Sequence, residues 1–106
     1  MSLAEKRCRV PLPKGTPALA RAAANALAPE VSQWKVAGDR LTRTFTFADF
    51  SAAMTFVNAL ATLAEAENHH PDFTVRYNKV DVSTWTHDVN GLSENDFILA
   101  AKLDRL

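Results

Sequence analysis

The strongest secondary-structure signal in the sequence is the stretch from residue 49 to residue 66, DFSAAMTFVNALATLAEA. It contains no Gly or Pro and is rich in Ala, Leu, Met and Phe, a composition that favours an amphipathic helix. At about 100° per residue, Phe50, Met54, Val57 and Ala61 fall on one line of this helix. We expect this stripe to cover a sheet, together with the neighbouring Ala53, Leu60 and Ala64.

The apolar arc of this helix is wider than packing against one sheet requires. Phe56, Leu63, Ala52 and Ala59 extend it to about 200°. The remaining polar face consists of Ser51, Thr55, Asn58, Thr62 and Glu65. This surplus favours a subunit interface, with coverage by a third helix as the alternative.

The residues before this helix predict a shorter helix and a hairpin. Thr16-Pro17 has the pattern of an N-cap followed by proline at the first helical position, and the helix should end before Pro29. Residues 32–36 and 40–47 then flank the turn sequence Ala37-Gly38-Asp39. The second run alternates apolar and Thr residues, which indicates a strand with one buried face.

The residues after the long helix predict two more strands and a last helix. The run from 73 to 86 is rich in β-formers, with Asn78-Lys79 as the expected reversal point. Ser93 and Asp96 have the spacing of a capping box at the start of the last helix. The predicted order is helix, strand, strand, helix, strand, strand, helix. We therefore expect an α+β fold, a four-stranded antiparallel sheet with three helices packed on one face.

Composition limits the classes of function. The 106 residues fit a single domain spanning residues 1–106, with residues 1–14 as a partly extended arm because Pro11 and Pro13 oppose a helix. Twelve basic and twelve acidic residues give no net charge, so we expect neither nucleic acid nor a membrane as partner. The single cysteine, the absence of a long apolar run and of a secretory core predict a cytoplasmic protein.

All three histidines lie close together in the sequence, at loop and strand ends. His69 and His70 follow the long helix, and His87 follows the last predicted strand. Glu65 stands one helical turn before His69, and Asp88 adjoins His87, so carboxylates are available to orient the imidazoles. Because histidine ordinarily titrates near neutral pH, this group is a candidate acid–base site.

Other chemistries are less well supported by the sequence. A three-histidine zinc site lacks a His-x-His or His-x-x-x-His pair, and adjacent histidines on an extended segment point apart. Cys8 has no sign of activation and suits a small apolar filler. The glycines are scattered, so no phosphate loop is expected. Glu67 is interpreted as a solvated helix-end charge without a role, and Trp85 as either a packing or a pocket residue.

Three spaced blocks of sequence together resemble the pterin-4a-carbinolamine dehydratase family. They are Glu65-x-x-x-His69-His70-Pro71 with Phe73, then Tyr77-Asn78-Lys79-Val80, then Thr86-His87-Asp88 followed by Gly91-Leu92-Ser93 and Asp96. The resemblance covers about the last 60 residues closely. Two positions depart from the animal members: Asp81 stands where another histidine is frequent, and Trp85 replaces a small residue.

The resemblance implies a cofactor-free and metal-free lyase that removes water from 4a-hydroxytetrahydropterin during tetrahydropterin recycling. It implies His70 as the leading general acid–base group, with His69 and His87 assisting and Glu65 orienting the cluster. The implied pterin-binding residues are Asn68, His69, His70, Pro71, Trp85, Thr86, His87 and Asp88. The expected partners are a small pterin and further copies of the chain, in a dimer or tetramer formed through a sheet edge and the long helix.

The same resemblance supplies a competing class of function. Animal relatives also act as dimerisation cofactors of a homeodomain transcription factor. In that case the chain would be an interaction module that uses the helical surface containing Phe56 and Leu63, with a vestigial pterin site. Intact histidine blocks favour the enzyme, because an interaction module has no chemical need for them.

Overall fold

The helices and strands occur in the predicted order. A computed structural model describes residues 2–106. Its helices are α1 (Arg21–Leu27), α2 (Phe50–Glu67) and α3 (Glu94–Leu103). Its strands are β1 (Lys35–Ala37), β2 (Arg40–Thr46), β3 (Asp72–Arg76) and β4 (Lys79–Thr84). The predicted α+β class is confirmed. Within residues 2–106, no helix combines the length and apolarity needed to cross a membrane.

The strands form one antiparallel sheet in the order β1–β2–β4–β3. In the central pair, Leu41 lies opposite Thr84 and Phe45 opposite Val80. Because side chains alternate along a strand, these buried residues share the face that the helices cover. The opposite face is polar and carries Thr42, Thr44, Asp81 and Ser83. The core therefore lies between one face of the sheet and the helices.

Local interactions fix both ends of α2. The Asp49 carboxylate accepts a hydrogen bond from the N–H of Ala52 at 2.8 Å, which satisfies one of the free donors at the helix start. Asn68 ends the helix in the left-handed conformation, with φ of 51°. The helix therefore stops one residue before the two adjacent histidines, and its end determines where they begin.

The buried stripe of α2 is rotated from the predicted one. Its buried residues are Ala53, Phe56, Val57, Leu60, Ala64 and Glu67. The predicted stripe residues Phe50 and Ala61 are exposed, so that part of the prediction is wrong. The apolar arc was too wide for periodicity to define its centre, and contacts with the sheet and α3 decide it. The five predicted polar-face residues are all exposed, as expected.

The surplus apolar residues of α2 are used largely inside the fold. The ring of Phe56 lies 4.5 Å from that of Phe45 and 5.1 Å from that of Phe47, between centroids. Leu63 is half-buried, and α3 packs against α2. Phe56 therefore belongs to the core and does not contribute an exposed surface, while an interface through other residues of α2 stays a prediction.

The first helix begins later than its sequence signal predicts. Thr16 donates its hydroxyl to the carbonyl of Pro13 in a turn, and α1 starts only at Arg21, after an extended Ala20. The backbone N–H of Leu19 binds the carbonyl of Leu92 at 2.8 Å. This tertiary hydrogen bond belongs to an extended segment, and it outweighs the local preference of Thr16-Pro17 for a helix start.

Both hairpins are shifted slightly from the prediction. Strand β1 begins at Lys35 because a 3-10 turn at Ala28–Val31 occupies the preceding residues, and the N–H of Trp34 bonds the carbonyl of Val31. In the second hairpin, Arg76 lies opposite Lys79, so the chain reverses at Tyr77-Asn78, one residue earlier than expected.

Candidate active site

His69 is the most buried of the three histidines, at 9% exposure. It follows the left-handed Asn68, so the chain leaves the axis of α2 and the ring enters the interior. Its Nε2 lies 2.7 Å from Oδ1 of Asp96. Because an ionised carboxylate can only accept, Nε2 carries the proton of this hydrogen bond. The contact therefore fixes the orientation and tautomer of the ring, leaving Nδ1 as the nitrogen without a proton when the ring is neutral.

Asp96 is fully buried and has four donors around it. Besides His69, its carboxylate accepts from the hydroxyls of Thr84 at 2.6 Å and Thr86 at 2.7 Å, and from the N–H of Ser93 at 3.0 Å. The last contact is half of the predicted capping box, which is confirmed. One carboxylate thus starts α3 and holds a histidine ring. Among residues 2–106, no buried polar side-chain atom lacks a partner.

His70 lies at the surface beside Glu65. Its Nε2 is 2.5 Å from Oε2 of Glu65, and both side chains are more than half exposed. An exposed pair of this kind contributes little to folding stability, but the carboxylate favours the ring orientation in which Nε2 faces Glu65. Glu65 therefore contacts a histidine as the sequence suggested, although its partner is His70, five residues later in the chain.

His87 is exposed at the start of a short 3-10 turn, His87–Val89. The segment is closed by a bridge between Thr86 and Gly91. The ring of His87 lies 5.0 Å from that of Trp85 at an angle of 59°, and the guanidinium of Arg40 lies 5.0 Å from the Trp85 ring. Trp85 thus connects the histidine to the end of the sheet through aromatic and cation–π contacts.

The histidines from both chain segments line one hollow of about 290 Å³. This volume is at the lower end of the range for small-molecule pockets. Of the residues predicted to line a site, the hollow includes Asn68, His69, His70, Trp85, Thr86, His87 and Asp88. Pro71 is half-buried outside it, and Glu65 reaches it only through His70.

The amino-terminal arm forms a wall of this hollow that the sequence did not reveal. Its lining also includes Arg9, Val10 and Leu12, together with Asn95 from the first turn of α3. Glu67 is only 6% exposed, so its interpretation as a solvated charge is wrong. Its carboxylate accepts from the N–H of Cys8 at 2.7 Å and lies 3.0 Å from Nε of Arg7. Glu67 thus attaches the arm to the end of α2.

Cys8 is unsuited to nucleophilic catalysis. Burial, reinforced by the neighbouring Glu67 carboxylate, raises the pKa of this thiol to about 12. The thiol hydrogen bonds the carbonyl of Asn95 at 3.6 Å. Because the thiolate is the reactive form, Cys8 stays inert at neutral pH and acts as a packing residue, as the sequence suggested.

A larger depression, of about 440 Å³, lies on the open face of the sheet. Its lining is mostly polar, with Phe73 and Val82 as the apolar members, and includes no histidine from the described residues. Asp81 lies there, where Arg76 and Thr44 donate to its carboxylate and hold its pKa at about 2. This position, which departs from the animal pattern, is thus part of a surface ion pair away from the histidines. The acid–base groups identify the smaller hollow as the candidate active site.

The hollow brings together imidazoles in two kinds of environment. His69 is held by a buried carboxylate, whereas His70 and His87 are exposed. Imidazoles can donate or accept protons near neutral pH, so the arrangement can serve a reaction that needs both an acid and a base on one small substrate. Among residues 2–106, no cluster of three or more His, Cys, Asp or Glu side chains has the arrangement of a metal site.

Comparison with known proteins agrees with the sequence blocks. Residues 17–106 match the model of the family described as pterin 4 alpha carbinolamine dehydratase. A protein of Nitrosomonas eutropha named "Putative pterin-4-alpha-carbinolamine dehydratase" is 45% identical over 98% of this chain and 92% of its own. A protein of the same name from Stenotrophomonas maltophilia is 48% identical over 98% and 90%.

A solved structure from Brucella melitensis, described as a transcriptional coactivator/pterin dehydratase, has the same fold. It superposes with a TM-score of 0.80 and 34% sequence identity, covering 83% of this chain and 96% of the other.

Proposed function

The chain belongs to the pterin 4 alpha carbinolamine dehydratase family, and from this premise we propose that it dehydrates a 4a-hydroxytetrahydropterin by histidine acid–base catalysis. The observation that carries the proposal is the convergence of His69, His70 and His87 on one hollow. The product is the quinonoid dihydropterin, which a reductase can return to the tetrahydro form. The enzyme is thus a hydro-lyase of tetrahydropterin recycling.

The reaction needs one proton donor and one proton acceptor. The bond between C4a and its hydroxyl oxygen breaks while that oxygen takes a proton from an imidazolium. N5 gives its proton to a neutral imidazole as the double bond between C4a and N5 forms. The net change is the loss of one water molecule, and both histidines recover their starting states through proton exchange with each other or with water.

We assign His70 as the main acid–base residue, assisted by His69 and His87. Support comes from the exposed ring of His70, which lines the hollow and is oriented by Glu65. The Nε2–H of His69 donates its hydrogen bond to Asp96, so Nδ1 is the atom through which this ring would exchange a proton. His87, beside Trp85 on the lining of the same hollow, would contact the flat pterin ring.

The proposal is tested by the decay of chemically generated 4a-hydroxytetrahydropterin with and without the protein. Wild-type protein should accelerate the decay at micromolar concentration. His70→Ala should lower kcat by roughly 10² to 10⁴, about 3 to 5 kcal/mol in the barrier. Thr62→Ala, on the exposed face of α2, is the matched control and should keep full activity. No acceleration by the wild-type protein would refute the proposal.

Two further parts of the proposal concern the assembly and its location. No strand within residues 2–106 pairs with the outer edge of β3, where Phe73 is 42% exposed, and Phe50 at the start of α2 is 50% exposed. These surfaces support a homo-oligomer that forms through the sheet edge and the long helix. A single, unreactive cysteine suits a reducing compartment, and we place the reaction in the cytoplasm.

A further inference from the structure

We propose that the amino-terminal arm is a fixed wall of the active site and that Arg9 selects pterins whose side chain carries a carboxylate or phosphate. The inference rests on the proposed function, since it assumes that a pterin occupies the hollow. It concerns residues outside the part of the chain that the family model matches, which begins at residue 17.

The backbone of Arg9 is fixed by a reciprocal pair of hydrogen bonds. Its N–H donates to Oδ1 of Asn95 at 2.8 Å, and its carbonyl accepts from Nδ2 of Asn95 at 3.0 Å. Asn95 as a whole is 2% exposed, so water competes little for these bonds. Asn95 is therefore a positioning residue that fixes where the Arg9 side chain leaves the arm.

A second attachment point lies one residue earlier in the arm. The buried Glu67 accepts from the N–H of Cys8 and pairs with Arg7, and Lys102 lies 3.7 Å from the same carboxylate. Glu67 and Asn95 belong to α2 and α3, the helices whose ends carry His69 and Asp96. The arm is thus tied to the two elements that position the buried catalytic histidine, and it keeps a constant relation to that ring.

The charge of Arg9 is available for a ligand. Arg9 is exposed, lines the hollow, and forms no ion pair with any residue in the range 2–106. Of the described residues, the only acidic one on the lining is Asp88. A guanidinium recognises carboxylate and phosphate through two parallel N–H donors, which gives geometric as well as electrostatic selectivity. The bicyclic ring would occupy the histidine end, and its substituent would extend toward the arm.

The test compares binding of matched pterins that differ in one anionic group, and it needs no turnover. Neopterin and neopterin monophosphate form one pair, and 6-methylpterin and 6-carboxypterin form the other. Isothermal titration with wild-type protein should show tighter binding of the anionic member in at least one pair, and that pair identifies phosphate or carboxylate as the group. The preference should weaken with added salt.

Arg9→Gln should weaken binding of the preferred anionic pterin by about tenfold and change the neutral one less than twofold. Arg21→Gln, at an exposed arginine on α1, removes the same charge outside the hollow and should change neither. Asn95→Ala should reduce the same preference, and adding Arg9→Gln to it should cause little further loss, because both act through one side chain.

Equal affinities within both pairs for the wild-type protein, or an unchanged preference in Arg9→Gln, would overturn the inference. A protein that prefers anionic pterins yet fails to accelerate dehydration would refute the proposed activity while leaving the role of Arg9 intact. Conversely, dehydration of neutral and anionic substrates at equal kcat/KM, with equal affinities, would support the activity and reject the selectivity.

Discussion

At the scale of single residues, the site depends on polar side chains that the fold buries and satisfies. Asp96 has partners from β4, from the following loop, from the turn before α3 and from the end of α2. The capping-box spacing predicted only its contact with Ser93. The bond to His69 joins residues 27 positions apart, and no local pattern encodes it.

Asp96→Asn should be both less stable and less active than the wild type. An amide has one acceptor oxygen where the carboxylate has two, so some of the four buried donors lose their partner. We expect a loss of about 2 to 4 kcal/mol in the free energy of unfolding. The activity should fall at least about tenfold, because the His69 ring is no longer held. Urea unfolding and the dehydration assay, run where the variant is folded, measure the two effects.

Asp39→Asn is the matched control for this change, since Asp39 is exposed in the turn between β1 and β2. It should leave the free energy of unfolding and the dehydration activity nearly unchanged. Full activity in a folded Asp96→Asn protein would show that the orientation of His69 is irrelevant to catalysis.

Cys8 should react slowly with iodoacetamide in the folded protein. Its pKa is raised from 9.0 to about 12, so the thiolate is scarce at pH 8. Alkylation at that pH should be at least about 100-fold slower than in urea-unfolded protein. The folded state retains the proton between pH 9 and pH 12, where the unfolded chain loses it. The associated stability is therefore complete below pH 9 and is lost as the pH rises toward 12.

Mass spectrometry of the alkylated protein measures this rate directly. Equal rates in folded and unfolded protein at pH 8 would show that the thiol is accessible and that the arm is not closed over it.

At the scale of elements, the arm is the part of the structure least visible in the sequence. Its prolines predicted an extended segment, but nothing local indicated that Glu67 and Asn95 would attach it to two helices. The arm has few backbone hydrogen bonds of its own, so its position depends on these tertiary contacts. Tertiary contacts that the local sequence does not encode also explain the late start of α1. There, a hydrogen bond between Leu19 and Leu92 outweighs the helix-start pattern of Thr16-Pro17.

Glu67→Gln should loosen the arm without unfolding the helices. The neutral amide loses the charge that attracts Arg7 and Lys102, and we expect a loss of about 1 to 3 kcal/mol in stability. Alkylation of Cys8 should become faster than in wild type, because opening of the arm exposes the thiol. Trypsin should cleave the arm sooner as well.

Asp39→Asn, in the exposed turn between β1 and β2 and away from the arm, is the control for loss of a negative charge. It should alter neither the alkylation rate nor the proteolysis. An unchanged rate in Glu67→Gln would show that Glu67 is not required to hold the arm, which is also attached by Asn95, by the buried Leu3 and by the bond from Lys102 to the carbonyl of Ala4.

At the scale of the whole molecule, the order of elements was predictable because it rests on features that are local in sequence. The hydrophobic periodicity, the turn residues and the capping box of Ser93 and Asp96 are each encoded by a few residues that are close in sequence. The strand order β1–β2–β4–β3 and the centre of the buried stripe on α2 depend on which elements meet. The hollow also depends on how these elements pack in the folded chain, since its walls come from the arm, from the ends of α2 and β4 and from the start of α3.

The two edges of the sheet differ in a way that predicts how copies of the chain would associate. The edge strand β1 has three residues, whereas β3 has five and ends next to the exposed Tyr77. A longer, unprotected edge with an exposed aromatic side chain is a natural site for pairing with another strand. The polypeptide should therefore sediment as a dimer or tetramer rather than at its chain mass of 11.6 kDa.

Substitutions on β3 and on α2 distinguish the contributions of these two surfaces to the oligomer. Phe73→Lys places a charge on β3 and should dissociate the pair formed through the edge, while Phe50→Lys should disrupt contacts through α2. If both surfaces are used, each variant should give a smaller species than the wild type, and the two together a monomer. Leu106→Lys, at an apolar residue that is 54% exposed, controls for the added charge. Analytical ultracentrifugation at micromolar concentration reads the masses, and a monomeric wild-type protein would contradict the prediction.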